Sequence, residues 1–231
     1  MNAIRLLTVP LWIALLHSAA LAGEPASDPS AAPAASPAAG SPATAAAPAG
    51  PLEIGQPAPL RDLPMKSVDG SEVSIASAAG KRGTLVIFMC NHCPWVQAWQ
   101  GRIAAIGSRA LELGVGVIAV NPNDPEALPT DDYASMVAQA GKLSLKFPYV
   151  VDSTSDLARA FGATRTPEAF LFDAKGKLVY HGTVDDNARN EDAVKQPWLK
   201  DAVEAVAAGR KVAAAETKAL GCSMKLRPAK S

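Results

Sequence analysis

Clustered positive charge is what this chain most clearly lacks. Its 22 Lys and Arg are matched by 22 Asp and Glu across 231 residues, and no segment gathers the basic ones. Nucleic acid and anionic membrane surfaces, which need a basic face, are therefore excluded as partners. Cysteine is scarce as well, with three in all. A zinc site needs about four Cys or His ligands, commonly two pairs, and beyond one Cys pair only Cys222, His92 and His181 are at hand. A haem attachment motif would place His after the second cysteine of the pair, where Pro94 stands. No cysteine sits at Gly23, where a cleaved export leader would end, so a lipid anchor of the bacterial lipoprotein type has no attachment point.

What is present begins with a leader. Arg5 supplies a positive start, Leu6 to Leu16 an apolar stretch and Ala20-Leu21-Ala22 a small-residue cleavage pattern. Residues 1–22 thus read as an export signal, too short in its apolar part to span a bilayer, which takes roughly 20 residues. Membrane tethering would follow only if it were left uncleaved, and the expected location is the periplasm or the exterior. Residues 23–51 are Ala, Pro, Ser and Gly save for Glu24, Asp28 and Thr44, a composition too poor in bulky apolar groups to offset chain entropy. They read as a disordered linker. Residues 52–231 are of a size for one folded domain.

Within that domain the pair Cys90-Asn91-His92-Cys93-Pro94 follows the apolar run Thr84 to Met89 and precedes Val96, Trp99, Ile103 and Ile106, spaced for the buried face of a helix ending near Gly107. Two cysteines three apart at a strand-to-helix junction are placed to exchange electrons. The helix N-terminus would lower the first thiol, making Cys90 the nucleophile and Cys93 the group that resolves the mixed disulfide. His92, lying between them, would favour the Cys90 thiolate further. With one pair in use, Cys222 is left over in a glycine-led tail near Lys218 and Lys225 and is a possible third redox cysteine.

Further strands are predicted at Val73 to Ile75, Val115 to Val120, Tyr149 to Asp152, Glu168 to Asp173 and Lys177 to His181, the last two as a hairpin. Helices are predicted at Asp131 to Gln139, at Ser155 to Phe161 with Ser155 as cap, and from about Leu199 to Ala208 with Leu199, Val203 and Val206 inward and Gly209 as the stop. The order is that of an α/β three-layer sheet.

With the Cys90 pair, Thr166-Pro167 before Ala169 to Asp173, Asp185 to Arg189 and the tail Glu216 to Lys225, the domain resembles the thioredoxin-like superfamily. The narrower resemblance is to its redoxin branch, which groups alkyl-hydroperoxide-reductase-like and ResA/TlpA-like proteins. It implies an α/β/α sandwich around a mixed sheet, exchanging disulfides with protein or small thiol substrates and a redox partner. The dithiol itself would be the only redox group, with no bound cofactor. By the same resemblance Thr166 and Pro167 form a cis-proline loop facing the dithiol and pairing with substrate backbone. Such domains often carry a buried carboxylate ahead of the active site; Thr84 to Met89 offers none, and Glu168 is the substitute that sequence position suggests for shuttling a proton. Asp185, Asp186 and Arg189 read as a solvated loop with a local ion pair.

Direct peroxidase chemistry of the peroxiredoxin type is not expected, although the kinship carries an association with antioxidant activity. It resembles Pro-x-x-x-Thr/Ser-x-x-Cys, and Ile87 and Cys90 stand where the hydroxyl would be. An alternative is a copper-binding or metallochaperone module, in which Cys90 and Cys93 hold the metal with His181 or Cys222.

Overall fold

The computed structural model describes residues 50–229; the leader at 1–22 and the linker through residue 49 lie outside the described residues. Two continuous apolar runs make the centre of the sheet. β3 (Gly83–Phe88) and β4 (Val115–Asn121) are buried at every position and pair in parallel from Gly83↔Val115 to Phe88↔Val120. Because strand side chains alternate, β3 feeds two cores. Leu85, Ile87 and Met89 enter one, while Val86 and Phe88 enter the other. Burying each such side chain contributes about 1.5–3 kcal/mol, which makes this strand the backbone of the domain.

The sheet extends on both sides. β1 (Met65–Ser67), β2 (Glu72–Val73), β5 (Tyr149–Val151), β7 (Glu168–Asp173) and β8 (Leu178–Gly182) complete the order β2-β1-β5-β4-β3-β7-β8. β5 joins β4 in parallel, and the remaining pairs are antiparallel, so the sheet is mixed. α1 (Pro94–Glu112), α2 (Tyr133–Leu143) and α4 (Trp198–Ala207) pack on the core that holds Leu85 and Ile87. α3 (Asp156–Phe161) packs with Val86 and Phe88 on the other face. The predicted α/β/α sandwich is the observed fold.

Several boundaries moved. α1 runs five residues past Gly107, whose bare Cα accepts the Phe147 ring; an added Cβ there would meet Phe147 Cε1 at 2.2 Å. The strand predicted through Ile75 stops at Val73, because Ser74 and Ser77 exchange backbone-to-hydroxyl hydrogen bonds at 2.9 and 3.1 Å and turn the chain. α2 starts two residues late, with the Asp132 carboxylate accepting from the Ser135 amide as its cap. Ser155 does not cap α3 by its side chain. Its hydroxyl donates instead to the Pro122 carbonyl and accepts from the Arg227 amide, holding the C-terminal tail.

Candidate functional site: three sulfurs at the head of a helix

The end of β3 delivers Cys90 to the first turn of α1, where Cys93 is the N-cap and Pro94 the first helical residue. Proline suits that position because the amide it lacks would have had no helical partner. Val96, Trp99 and Ile103, fully buried, clamp α1 to the sheet and fix the turn. Both thiols are wholly covered, at 0% exposure each, while Cys222 is partly exposed.

Thr166 spans the pair. Its hydroxyl lies 3.1 Å from Cys90 Sγ, its carbonyl 3.0 Å from Cys93 Sγ, and its bond to Pro167 is cis. The backbone edge at Thr166, expected to stay open for a substrate chain, is already paired. β6 (Arg165–Thr166) runs antiparallel to β9 (Cys222–Ser223), in register Thr166↔Cys222. The pairing brings Cys222 Sγ to 2.6 Å from Cys93 Sγ. The approach depends on Gly221, where a Cβ would sit 2.3 Å from the Thr166 carbonyl oxygen.

The protonation pattern reverses the expected one. The Cys90 thiol bonding to Cys93 pulls Cys93 down to about 4, and Cys222 and the Val96 amide add to the effect against the cost of burial. Cys90 is pushed up, first because its hydrogen serves Cys93, then by burial and by the Asp131 carboxylate. Cys222 is raised to about 11, chiefly by desolvation and then by Cys93. The Val96 amide at the helix N-terminus thus favours charge on Cys93, after the larger effect of the Cys90 hydrogen bond.

Asp131 adds to the rise at Cys90, and sequence reasoning missed it. It is 3% exposed in the 3₁₀ turn Pro129–Asp131, and its carboxylate faces the dithiol loop. Its Oδ1 accepts from the amides of Asn91 (2.7 Å) and His92 (3.3 Å). Its Oδ2 meets His92 Nδ1 at 2.8 Å and accepts from Asn123 Nδ2 at 2.7 Å. Any positive charge on His92 is thus answered by this carboxylate, so the expected help to a Cys90 thiolate is offset. Two adjacent acids ahead of a helix look like capping; only Asp132 caps, leaving Asp131 for the site.

Glu168 does not face the thiols. It lies on β7 with the parity of Phe170, whose ring stacks on His181 at 4.4 Å, and it points to the opposite side of the sheet. There Oε1 meets His181 Nε2 at 2.7 Å, and Oε2 accepts from the amides of Thr164 and Arg165 at 2.8 and 2.9 Å. Its place is to brace the loop before Pro167. Asp185 is also buried rather than solvated, accepting from Trp99 Nε1 at 2.8 Å and pairing with Arg102, so it bolts its loop to α1.

A metal could draw on Cys90, His92 and Asp131, whose ligand atoms lie within 4.8 Å of one another. Both Asp131 oxygens, however, already accept two contacts each, and His181 is held across the sheet by Glu168.

The redoxin family model matches residues 38–196. The chain belongs to the redoxin family. This redoxin is 32% identical to a solved, uncharacterised conserved protein from Geobacillus kaustophilus, covering 77% of this chain and 94% of that one with a TM-score of 0.71. A thioredoxin-like protein solved in its oxidised form shares the fold at 21% identity and TM-score 0.56, over 69% of this chain and all of that one. Among curated relatives it is similar to the thiol-disulfide oxidoreductase ResA of Halalkalibacterium halodurans, 24% identical over 115 residues. That match takes in 50% of this chain and 61% of the relative, so this redoxin spans less than two thirds of it.

Proposed function

We propose that this redoxin is an exported thiol-disulfide oxidoreductase whose redox group is the Cys90–Cys93 pair. The observation that carries the reading is the pair of buried sulfurs at the head of α1, with Thr166 against both. The likeness to ResA, named a thiol-disulfide oxidoreductase, supports it.

In this reading the Cys90 proton passes to Cys93 as a substrate disulfide arrives. Cys90 sulfur attacks one substrate sulfur, and the other leaves as a thiolate. Cys93, having passed its proton to that departing thiolate, attacks Cys90 sulfur, releasing the second substrate thiolate and closing the Cys90–Cys93 disulfide. Run backwards, the same steps donate a disulfide. His92 with Asp131 shapes the loop between the thiols, and Thr166-Pro167 holds the face opposite them. Substrates are protein or small-molecule disulfides, with a separate redox partner to reset the pair. Export rests on the pattern at Arg5, Leu6 to Leu16 and Ala20 to Ala22. Among the described residues no helix is long and apolar enough to cross a membrane.

The test is turnover of a protein disulfide with a thiol reductant, such as reduction of insulin by glutathione. The wild-type chain should accelerate it, and Cys90→Ala and Cys93→Ala should fall to the uncatalysed rate. Full activity in Cys90→Ala would refute the reading. Stoichiometric copper that Cys90→Ala cannot hold, without turnover, would favour the metal-binding alternative instead.

A further inference from the structure

The tail presents a sulfur that the two-thiol reaction leaves unused. Cys222 is drawn onto Cys93 by a pairing that runs well beyond one contact. The Met224 amide donates to the Thr164 carbonyl at 3.1 Å, the Lys225 amide to Asn123 Oδ1 at 2.8 Å, and the Asp124 amide to the Lys225 carbonyl at 2.7 Å. Upstream, the Thr217 amide donates to the His181 carbonyl at 2.9 Å. The segment is a strap tied at both ends, not a loose terminus, and Gly221 lets its backbone lie against Thr166. Of the three sulfurs it carries the only one with any exposure.

We propose that Cys222 is a third redox-active cysteine that closes a disulfide with Cys93 and serves as the solvent-side port through which thiols exchange electrons with the buried dithiol. The proposal rests on the oxidoreductase reading above and deepens it.

The exchange balances without an outside oxidant. Cys222 sulfur attacks Cys93 in the Cys90–Cys93 disulfide, the Cys93–Cys222 bond forms, the Cys90–Cys93 bond breaks, and the Cys222 proton ends on Cys90. Cys90 is suited to receive it, being the sulfur that its surroundings hold protonated. An external thiol then attacks the exposed Cys222 sulfur and forms a mixed disulfide with it. Cys93 leaves as a thiolate, and its depressed pKa makes it the best leaving group of the three. A second external thiol releases Cys222, and the external pair departs as its disulfide. Holding two sulfurs in contact replaces a bimolecular encounter by an intramolecular one, which favours this route over attack on a covered sulfur.

The test uses the full chain with Cys90→Ser, treated with oxidised glutathione, alkylated and mapped by mass. The expected result is loss of both free thiols and a peptide joining Cys93 to Cys222. In the wild-type chain under the same treatment, Cys222 should be the first to lose its reaction with iodoacetamide, joined to glutathione or to Cys93, before Cys90–Cys93 closes and frees it. Cys222→Ser should close Cys90–Cys93 more slowly than wild type under glutathione. A Cys222 that stays fully alkylatable in both chains, with glutathione on Cys93 instead, would overturn the proposal. Failure of the underlying reading would look different, since Cys222→Ser would then close no Cys90–Cys93 disulfide at any glutathione ratio.

Discussion

Two carboxylate–imidazole pairs flank Thr166-Pro167 from opposite faces of the sheet. Asp131–His92 at 2.8 Å sits beside the sulfurs with the imidazole about a quarter exposed, and Glu168–His181 at 2.7 Å lies in the far core with both groups covered. The contacts are nearly the same, but their partners are not. Glu168 spends its second oxygen on the backbone of the proline loop, whereas Asp131 spends its contacts on the dithiol loop. The Glu168 pair fixes where Thr166 stands; the Asp131 pair adds to the charge that Cys90 feels. Chemical type alone does not assign a role, and the face of the strand does.

The largest effect should come from breaking the far pair. Glu168→Ala strands a covered imidazole and two amides, and is expected to lose about 3–5 kcal/mol of stability in urea unfolding. If it costs almost nothing while changing thiol chemistry, the two pairs have been assigned the wrong way round. Asp131→Asn should cost less, about 1–3 kcal/mol, because an amide keeps some of the contacts. It should also make Cys90 easier to ionise, visible as faster alkylation of that residue at neutral pH, a change that Glu168→Gln should not reproduce.

The pH response of the reduced protein separates the sulfurs. With Cys93 held at about 4 when folded, against an ordinary thiol near 8.5, the unfolded chain binds more protons between those values. Stability should therefore rise with pH across that window. Above it Cys90 and Cys222, the latter raised to about 11, keep protons that the unfolded chain gives up, and stability should fall. A reduced protein whose unfolding free energy is flat from pH 5 to 8 would remove the Cys93 charge from the account. The smallest effect is expected from His92→Ala, a partly exposed pair worth less than about 1 kcal/mol.

The parts of the fold that could be read from sequence are those set by local pattern. The unbroken apolar runs of β3 and β4 and the three- and four-residue spacing along α1 locate the dithiol without any tertiary knowledge. Cys222 could be suspected because a third cysteine had no partner, but its docking depends on a strand pairing 56 residues removed from Arg165–Thr166. Asp131 reaches Asn91 from 40 residues away, and nothing local distinguishes it from the capping Asp132 beside it. Glu168 adjoins Pro167 in sequence but not the thiols in space. Strand alternation sends it through the sheet.

The most direct measurement is the reduction potential of the Cys90/Cys93 pair in the full chain carrying Cys222→Ser, so that one pair alone can close, equilibrated against glutathione with alkylation mapping. A thiolate held at Cys93 stabilises the reduced form, so the expected value lies well above the about −270 mV of a thioredoxin and toward the about −120 mV of a strong oxidant. A potential at or below −270 mV would contradict the Cys93 thiolate, and no disulfide at any poise would contradict the redox function itself.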